Sequence, residues 1–169
     1  ASDVYKRQAQ QLDAVELKEL FQNTVLVINR RDYSQAEVED WASCGNNLSN
    51  IKERIETHCF VVAVNQQSQI VGFSSITPQG YLHSMFVHKD FQGEGIATML
   101  LEEIERYTIT AGITRITSEV SLTARPFFEK KGYVVEKEQK RKANQLSLTN
   151  FLMAKEVAFL EYYNKKVTD

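Results

Sequence analysis

Two glycines one residue apart, where an apolar strand meets an amphipathic helix, are the residues here whose spacing can do chemistry. In Asp90-Phe91-Gln92-Gly93-Glu94-Gly95-Ile96-Ala97-Thr98-Met99 the chain leaves the apolar stretch 81–87, turns at Gly93 and Gly95, and takes up helical spacing from Ile96. Such a turn gathers backbone N–H groups at the positive end of a helix dipole, and a place of that kind binds anions. The expected ligand carries phosphates. Main-chain amides from Gly93 through Thr98 can meet a diphosphate without the desolvation penalty of buried lysines, and glycine lets the backbone come close. An isolated Gly-x-Gly can equally do no more than start a helix. No Gly-Lys-Ser/Thr follows, which disfavours a nucleotide-kinase loop, and antiparallel hairpins precede the turn, which disfavours a dinucleotide fold.

The elements that must hold this turn follow from periodicity. Residues 4–9 read as a weak strand. Leu12, Val15, Leu17, Leu20, Phe21, Val25 and Ile28 recur at helical spacing and predict a helix ending near 29–33. Ser34, with Glu37 three positions on, opens a second helix through a capping box, and 47–58 forms a third with Leu48, Ile51 and Ile55 as its stripe. Strands over 59–64, 70–76 and 81–87 predict two hairpins in series. After the glycine turn, Ile96, Leu100, Leu101, Ile104 and Tyr107 share a helix face that Gly112 ends. Residues 113–120 alternate and, lying beyond a crossover helix, are expected to pair parallel to 81–87. A short helix over 123–131 has Pro126 in its first turn. Residues 133–138 and 145–153 read as a final hairpin around Lys140-Arg141-Lys142-Ala143-Asn144. A last helix is expected over 155–166, where Phe159, Tyr162 and Tyr163 would pack onto the body or onto a second copy in a homodimer.

With 169 residues, 43% of them hydrophobic, the chain suits one domain over 1–169, with 1–5 a disordered or non-native start and 155–169 a helical extension. Twenty basic residues against 22 acidic ones create no field toward nucleic acid or membrane, and Lys140-Arg141-Lys142 reads as a solvated hairpin tip. Cys44 and Cys59 have neither metal nor redox spacing, and the histidines are scattered, so no metal is expected. No apolar run spans a bilayer and the N-terminus lacks a signal-peptide core, which predicts a cytoplasmic protein.

The order strand, Gln92-Gly93-Glu94-Gly95-Ile96-Ala97, helix, strand, then Ala124-Arg125-Pro126-Phe127-Phe128-Glu129-Lys130-Lys131-Gly132-Tyr133 resembles the GNAT superfamily of acetyl-CoA-dependent N-acetyltransferases. The first segment fits that family's Arg/Gln-x-x-Gly-x-Gly/Ala signature and the second its pattern of an alanine, an aromatic residue and Gly-Phe/Tyr. The resemblance implies an α/β (α+β) fold with a mixed, mostly antiparallel central sheet of about six to seven strands, splayed between strands four and five and flanked by helices on both faces. It implies acetyl-CoA as the cofactor and a small-molecule or peptide amine as acceptor, attacking directly in a ternary complex. The diphosphate would meet Gln92, Gly93, Glu94, Gly95, Ile96, Ala97 and Thr98. The pantetheine arm would lie in the splay, hydrogen-bonded to main chain near Met85, Phe86 and Val87, with Ser121, Phe127 and Phe128 on the other side.

By the same resemblance the Val87 N–H polarises the thioester carbonyl. Strand alternation puts Tyr81, His83, Met85 and Val87 on one face and Leu82, Ser84, Phe86 and His88 on the other. Relatives carry a Glu or His base on the Val87 face, four or six residues earlier; His83 matches the nearer position and has a pKa suited to the task. Ser84 is a lesser candidate, relaying through water. Phe128 stands where many relatives have a tyrosine acid, which leaves Tyr133 and Ser121 as donors; a thiol with a reference pKa of about 8.5 also leaves tolerably unprotonated. The acceptor is expected against Asn29, Arg31, Asp32, Tyr33, Trp41 and Tyr81. The rival reading is a non-catalytic acetyl-CoA-binding sensor or interaction module, which the missing tyrosine at 128 favours.

Overall fold

The computed structural model describes residues 3–157 and 166–167. A first antiparallel sheet runs in the order β1 (Tyr5–Gln8), β2 (Cys59–Val64), β3 (Ile70–Ile76), β4 (Leu82–Val87). A second takes β5 (Arg115–Ser121), β6 (Val134–Lys142) and β7 (Ser147–Glu156) in the order β5-β7-β6. The helices are α1 (Ala14–Val27), α2 (Gln35–Ser43), α3 (Leu48–Thr57), α4 (Ile96–Thr110) and α5 (Arg125–Lys130).

β2 is apolar throughout because both of its faces are covered. Phe60, Val62 and Val64 pack with Leu17 and Leu20 of α1 and Ile51 of α3. Val61 and Ala63 turn to the opposite face, where Ile96, Leu100, Leu101 and Ile104 of α4 lie, and that core continues into Ile116, Val120, Phe128 and Met153. The α4 contact is close: a Cβ on Gly72 of β3 would stand 2.8 Å from Ile96 Cγ2. The capping box of α2 is present, with Glu37 N–H donating to Ser34 Oγ at 3.1 Å and Ser34 N–H to Glu37 Oε1 at 2.9 Å.

The two sheets meet at one place. Tyr81 and Thr117 form an isolated parallel bridge, Thr117 N–H donates to Gly80 O at 3.0 Å, and Ser118 Oγ donates to Leu82 O at 2.8 Å. The expected parallel pairing of 113–120 with 81–87 is therefore right in direction and confined to its first residues. β5 instead fills its ladder with β7, from Arg115–Glu156 to Ser121–Asn150.

Inside β4 the register steps from Ile76–Leu82 to Ser75–Ser84, so His83 is an extra, bulged residue. Bulges interrupt period-two alternation. Leu82 consequently belongs to the α4-side core that Met85 and Val87 also pack against, while Phe86 packs against the α1/α3 core and Ser84 pairs with Ser75. His83 lies beside His58 at the end of α3, with ring centroids 5.8 Å apart, not on the Val87 face as alternation predicts.

The final hairpin is longer than expected. Lys140, Arg141 and Lys142 are strand residues opposite Thr149, Leu148 and Ser147, and the tip is held by Asp40 of α2, which accepts from the N–H groups of Asn144, Gln145 and Leu146 at 2.9 to 3.1 Å. Lys155 and Glu156 belong to β7 and not to a helix. Of the rest of the helix expected over 155–166, Val157 is not helical and Lys166 is; residues 158–165, with Phe159, Tyr162 and Tyr163, lie outside the described residues. Among the described residues no helix is long and apolar enough to cross a membrane, and no three His, Cys, Asp or Glu side chains cluster as metal ligands.

A Cβ on Gly80, at φ +93°, would stand 2.5 Å from Arg115 O, within the contact that joins the sheets. Gly80→Ala should destabilise the protein by about 2–4 kcal/mol, read as a lower urea midpoint. Gly112, at φ +74° with nothing within 4 Å of its Cβ direction, is the control; Gly112→Ala should cost about 1 kcal/mol. Equal shifts in the two variants would contradict the seam.

Candidate functional site

Beyond the seam the strands diverge around a cleft of about 890 Å³. One end is the glycine turn. Gly93 and Gly95 have φ of +74° and +82°, a conformation that other residues adopt only with strain, and a Cβ on either would meet no atom within 4 Å. Gly95 is the N-cap of α4 and no side chain caps that helix. Ile96, Ala97 and Thr98 line the cleft there, so the first-turn amides of a 15-residue helix face open space. That arrangement fits a diphosphate. Gln92 acts as a strut: its Nε2 donates to Val87 O at 2.7 Å and to His88 O at 3.3 Å. Glu94 is exposed and does not line the cleft.

The middle of the cleft is the diverging edge of β4. His88 N–H donates to Val71 O, so by antiparallel alternation the main-chain groups of Val87 and Met85 turn away from β3 toward the gap. Val87 O is held from two directions, by Gln92 and by Thr24 Oγ1 at 3.0 Å. The same alternation commits the Phe86 main chain to Phe73 on β3, a correction to the expectation that it faces the arm. Its side chain lines the cleft instead, edge-on to Phe21 at 5.1 Å and Trp41 at 6.1 Å.

Across the gap, Ser121, Thr123, Phe127 and Phe128 form the wall. Ser121 Oγ accepts from Ala124 N–H at 3.0 Å. Thr123 Oγ1 is buried with no hydrogen-bond partner, which a polar ligand group along this wall would satisfy. Tyr133 is not part of the site: it is 2% exposed and its hydroxyl donates to Glu105 Oε2 at 3.2 Å. Burial, and then Glu105, push its pKa far above the ordinary value. Phe128, edge-on against it, lines the cleft in its place.

The other end gathers His83, Tyr81, Arg54, Glu119 and Arg141. The His83 side chain is exposed at the cleft, and the protein atoms crowded around it, together with Arg54 and His58, hold its pKa down to about 4. It is neutral at pH 7. Burial, with Glu119 adding to it, pushes Tyr81 up to about 12. Ser84 Oγ is engaged with Ser75 Oγ at 2.6 Å. Asn29, Tyr33 and Trp41 also line the cleft, but the Tyr33 hydroxyl is a tie, donating to Thr149 O at 2.6 Å and accepting from Leu122 N–H at 2.9 Å. Arg31 and Asp32 are exposed and lie outside the cleft.

Thr123, Arg54, Glu119 and Arg141 are not among the residues expected from sequence. Arg54 carries a readable signal: it interrupts the stripe Ile51, Ile55, His58 at helical spacing, so it must face the same way as the apolar residues. Glu119 and Arg141 meet through a 3.0 Å ion pair between β5 and β6 that only the topology reveals.

The chain matches the model of the acetyltransferase (GNAT) domain over residues 29–156. It is 28% identical over 153 residues to the uncharacterized N-acetyltransferase YafP of Escherichia coli K12, covering 90% of this chain and 95% of that one. A GCN5-related N-acetyltransferase from Rhodopseudomonas palustris superposes with a TM-score of 0.86 at 26% identity, over 90% of this chain and 94% of that one. PaiA N-acetyltransferase from Thermoplasma acidophilum, solved in complex with coenzyme A, gives 0.74 at 18% identity, over 90% and 98%.

An NMR titration of the folded protein should give His83 a midpoint near 4, well below the ordinary 6.5. Because the folded-state pKa is depressed, the stability linked to this group is complete above about 6.5 and is lost as pH falls toward 4. His83→Gln should make that part of the acid sensitivity disappear. A midpoint at the ordinary value would contradict the placement of the ring.

Proposed function

The chain belongs to the GNAT acetyltransferase family, and from that premise we propose that it moves an acetyl group from acetyl-CoA to the primary amine of a small molecule or peptide by direct attack in a ternary complex. The observation that carries the reading is the uncapped start of α4, open at the same cleft toward which β4 turns the main chain of Val87.

Acetyl-CoA supplies an activated thioester carbonyl. The amides from Gly93 to Thr98 hold the diphosphate. Main-chain groups of Met85 and Val87 hydrogen-bond along the pantetheine arm on one side, and Ser121 and Thr123 on the other. The Val87 N–H donates where negative charge develops on the carbonyl oxygen, a contribution of about 3 kcal/mol for a fixed donor. His83, with its pKa near 4, is too weak to strip a free ammonium whose reference pKa is about 10. It instead takes the proton from the amine as the N–C bond forms and that nitrogen becomes acidic. The N–C bond forms and the C–S bond breaks; the proton passes through His83 to water, and the departing thiolate takes one from water, since Phe128 has none to give. The absent hydroxyl at 128 is also the one observation that favours a non-catalytic acetyl-CoA sensor.

Calorimetry with acetyl-CoA and release of free CoA with a panel of amines separate these readings. Heat and turnover are expected; heat without turnover would favour the sensor, and no heat from folded protein would end both. Gly95→Ala should weaken acetyl-CoA binding by about tenfold or more while keeping the melting temperature within a few degrees. His83→Ala should lower kcat by about 100-fold with acetyl-CoA affinity unchanged, and an unchanged kcat would remove His83 from the chemistry.

A further inference from the structure

Four charged side chains line the cleft, all distant in sequence from the glycine turn: Arg54 of α3, Glu119 of β5, and Arg141 and Lys142 of β6. The single acid is already engaged, by Arg141 Nε at 3.0 Å. Arg54 is half-buried, its charge disfavoured by burial, and among the described residues no carboxylate lies within ion-pairing distance of it and no hydrogen bond satisfies its guanidinium. A chain with a net charge of −2 thus builds a locally positive chamber. A solvated surface arginine would need no partner, but Arg54 stands in the apolar stripe of α3, beside the cleft walls made by Phe21, Phe60, Phe73 and Phe86. A partly desolvated cation without a partner is a cost that a bound anion returns.

We propose that the acceptor is a small amine that also carries a carboxylate and an apolar body, with the carboxylate held by the Arg54 guanidinium and the amine presented to His83. The inference rests on the transfer reading above and deepens it. Arg54 and His83 line the same cleft, and His58, one helical turn beyond Arg54, has its ring centroid 5.8 Å from that of His83, so one compact molecule reaches both. Amino acids with aromatic or branched side chains have this chemistry. Polyamines do not, because their additional ammonium groups would face Arg54 and Lys142.

The test uses the full chain with saturating acetyl-CoA and compares L-phenylalanine with 2-phenylethylamine, L-tryptophan with tryptamine, and spermidine, by release of CoA. In the wild type kcat/KM for the amino acid should exceed that of its decarboxylated partner by about tenfold or more. Arg54→Gln should bring the ratio to within about twofold of one and raise the His83 titration midpoint, with acetyl-CoA affinity as the check on folding. If that variant does not fold, Arg54→Lys, which keeps the charge and loses the planar fork, should retain part of the ratio. Equal use of each pair, preference for spermidine, a ratio that survives Arg54→Gln, or no amine used by protein that binds acetyl-CoA would overturn the proposal. Should acetyl-CoA fail to bind, the transfer reading falls by itself. Ligand-detected NMR then decides the site: L-phenylalanine bound in preference to 2-phenylethylamine, and lost in Arg54→Gln, supports it, and no preference overturns it.

Discussion

Everything at the cleft depends on two sheets that touch at Gly80–Tyr81 and Thr117–Ser118 and then part. A sheet edge left open inside a protein is ordinarily avoided, since its N–H and C=O groups lose water without gaining partners. β4 does not continue its pairing with β5 past the seam: β5 runs its full seven-residue ladder with β7 on the other edge, and on the edge facing β4 it keeps only the bridge at Tyr81–Thr117. The Ser118 hydroxyl, bonded to Leu82 O, supplies the last tie. What remains is a gap in which an extended chain with its own donors and acceptors can complete the ladder, and this suits the edge of β4 to the proposed binding of the pantetheine arm.

The surroundings keep that surface in one geometry. Val87 O is held by Thr24 from α1 and Gln92 from the glycine turn, which ties strand end, helix and turn together. Tyr33 performs the same service at the opposite wall, joining β7 to the segment after β5 through one hydroxyl. Rigid placement suits a reaction in which the protein supplies few strong acids or bases and works chiefly by alignment and fixed dipoles. The electrostatics agree with this. A positive chamber around a neutral His83 disfavours a protonated amine, so in the proposed reaction an acceptor nitrogen would settle there more readily with its lone pair free.

What the sequence discloses is what is local. The Ser34–Glu37 capping box, the stripe of α4, the unbroken apolar run of β2 and the glycine turn each depend on residues within a few positions, and each is found where the sequence puts it. The stripe expected for α1 holds for Leu17, Leu20 and Val25, which are buried, but not for Leu12, which precedes the helix and is 93% exposed, or for Val15, which is 54% exposed. The length of the final hairpin was not readable in that way, since it is settled by Asp40, about a hundred residues away in the chain, gripping the tip. Nor was the role of Tyr33, whose hydroxyl partners lie 89 and 116 residues on. Tyr133 looked available because spacing cannot tell a phenol in a cleft from one turned toward Glu105.

The bulge at His83 is the most consequential of these non-local features. With strict alternation His83 would share the α4 side with Met85 and Val87, inside an apolar core, and Leu82 would project toward α3. One additional residue on β4, fixed only by its register against Ser75 and Ile76 of β3, reverses both placements. Leu82 enters the core at 1% exposure, and the imidazole moves to the chamber that holds Arg54 and Tyr81. Bulges recur where a strand must re-aim a side chain without changing its course. Here the course of β4 must not change, because Met85 and Val87 a few residues on line the gap. The extra residue lets one strand meet two demands of the proposed reaction: a regular edge for an extended ligand, and a ring set out of phase with that edge, on the side from which the proposed acceptor would approach.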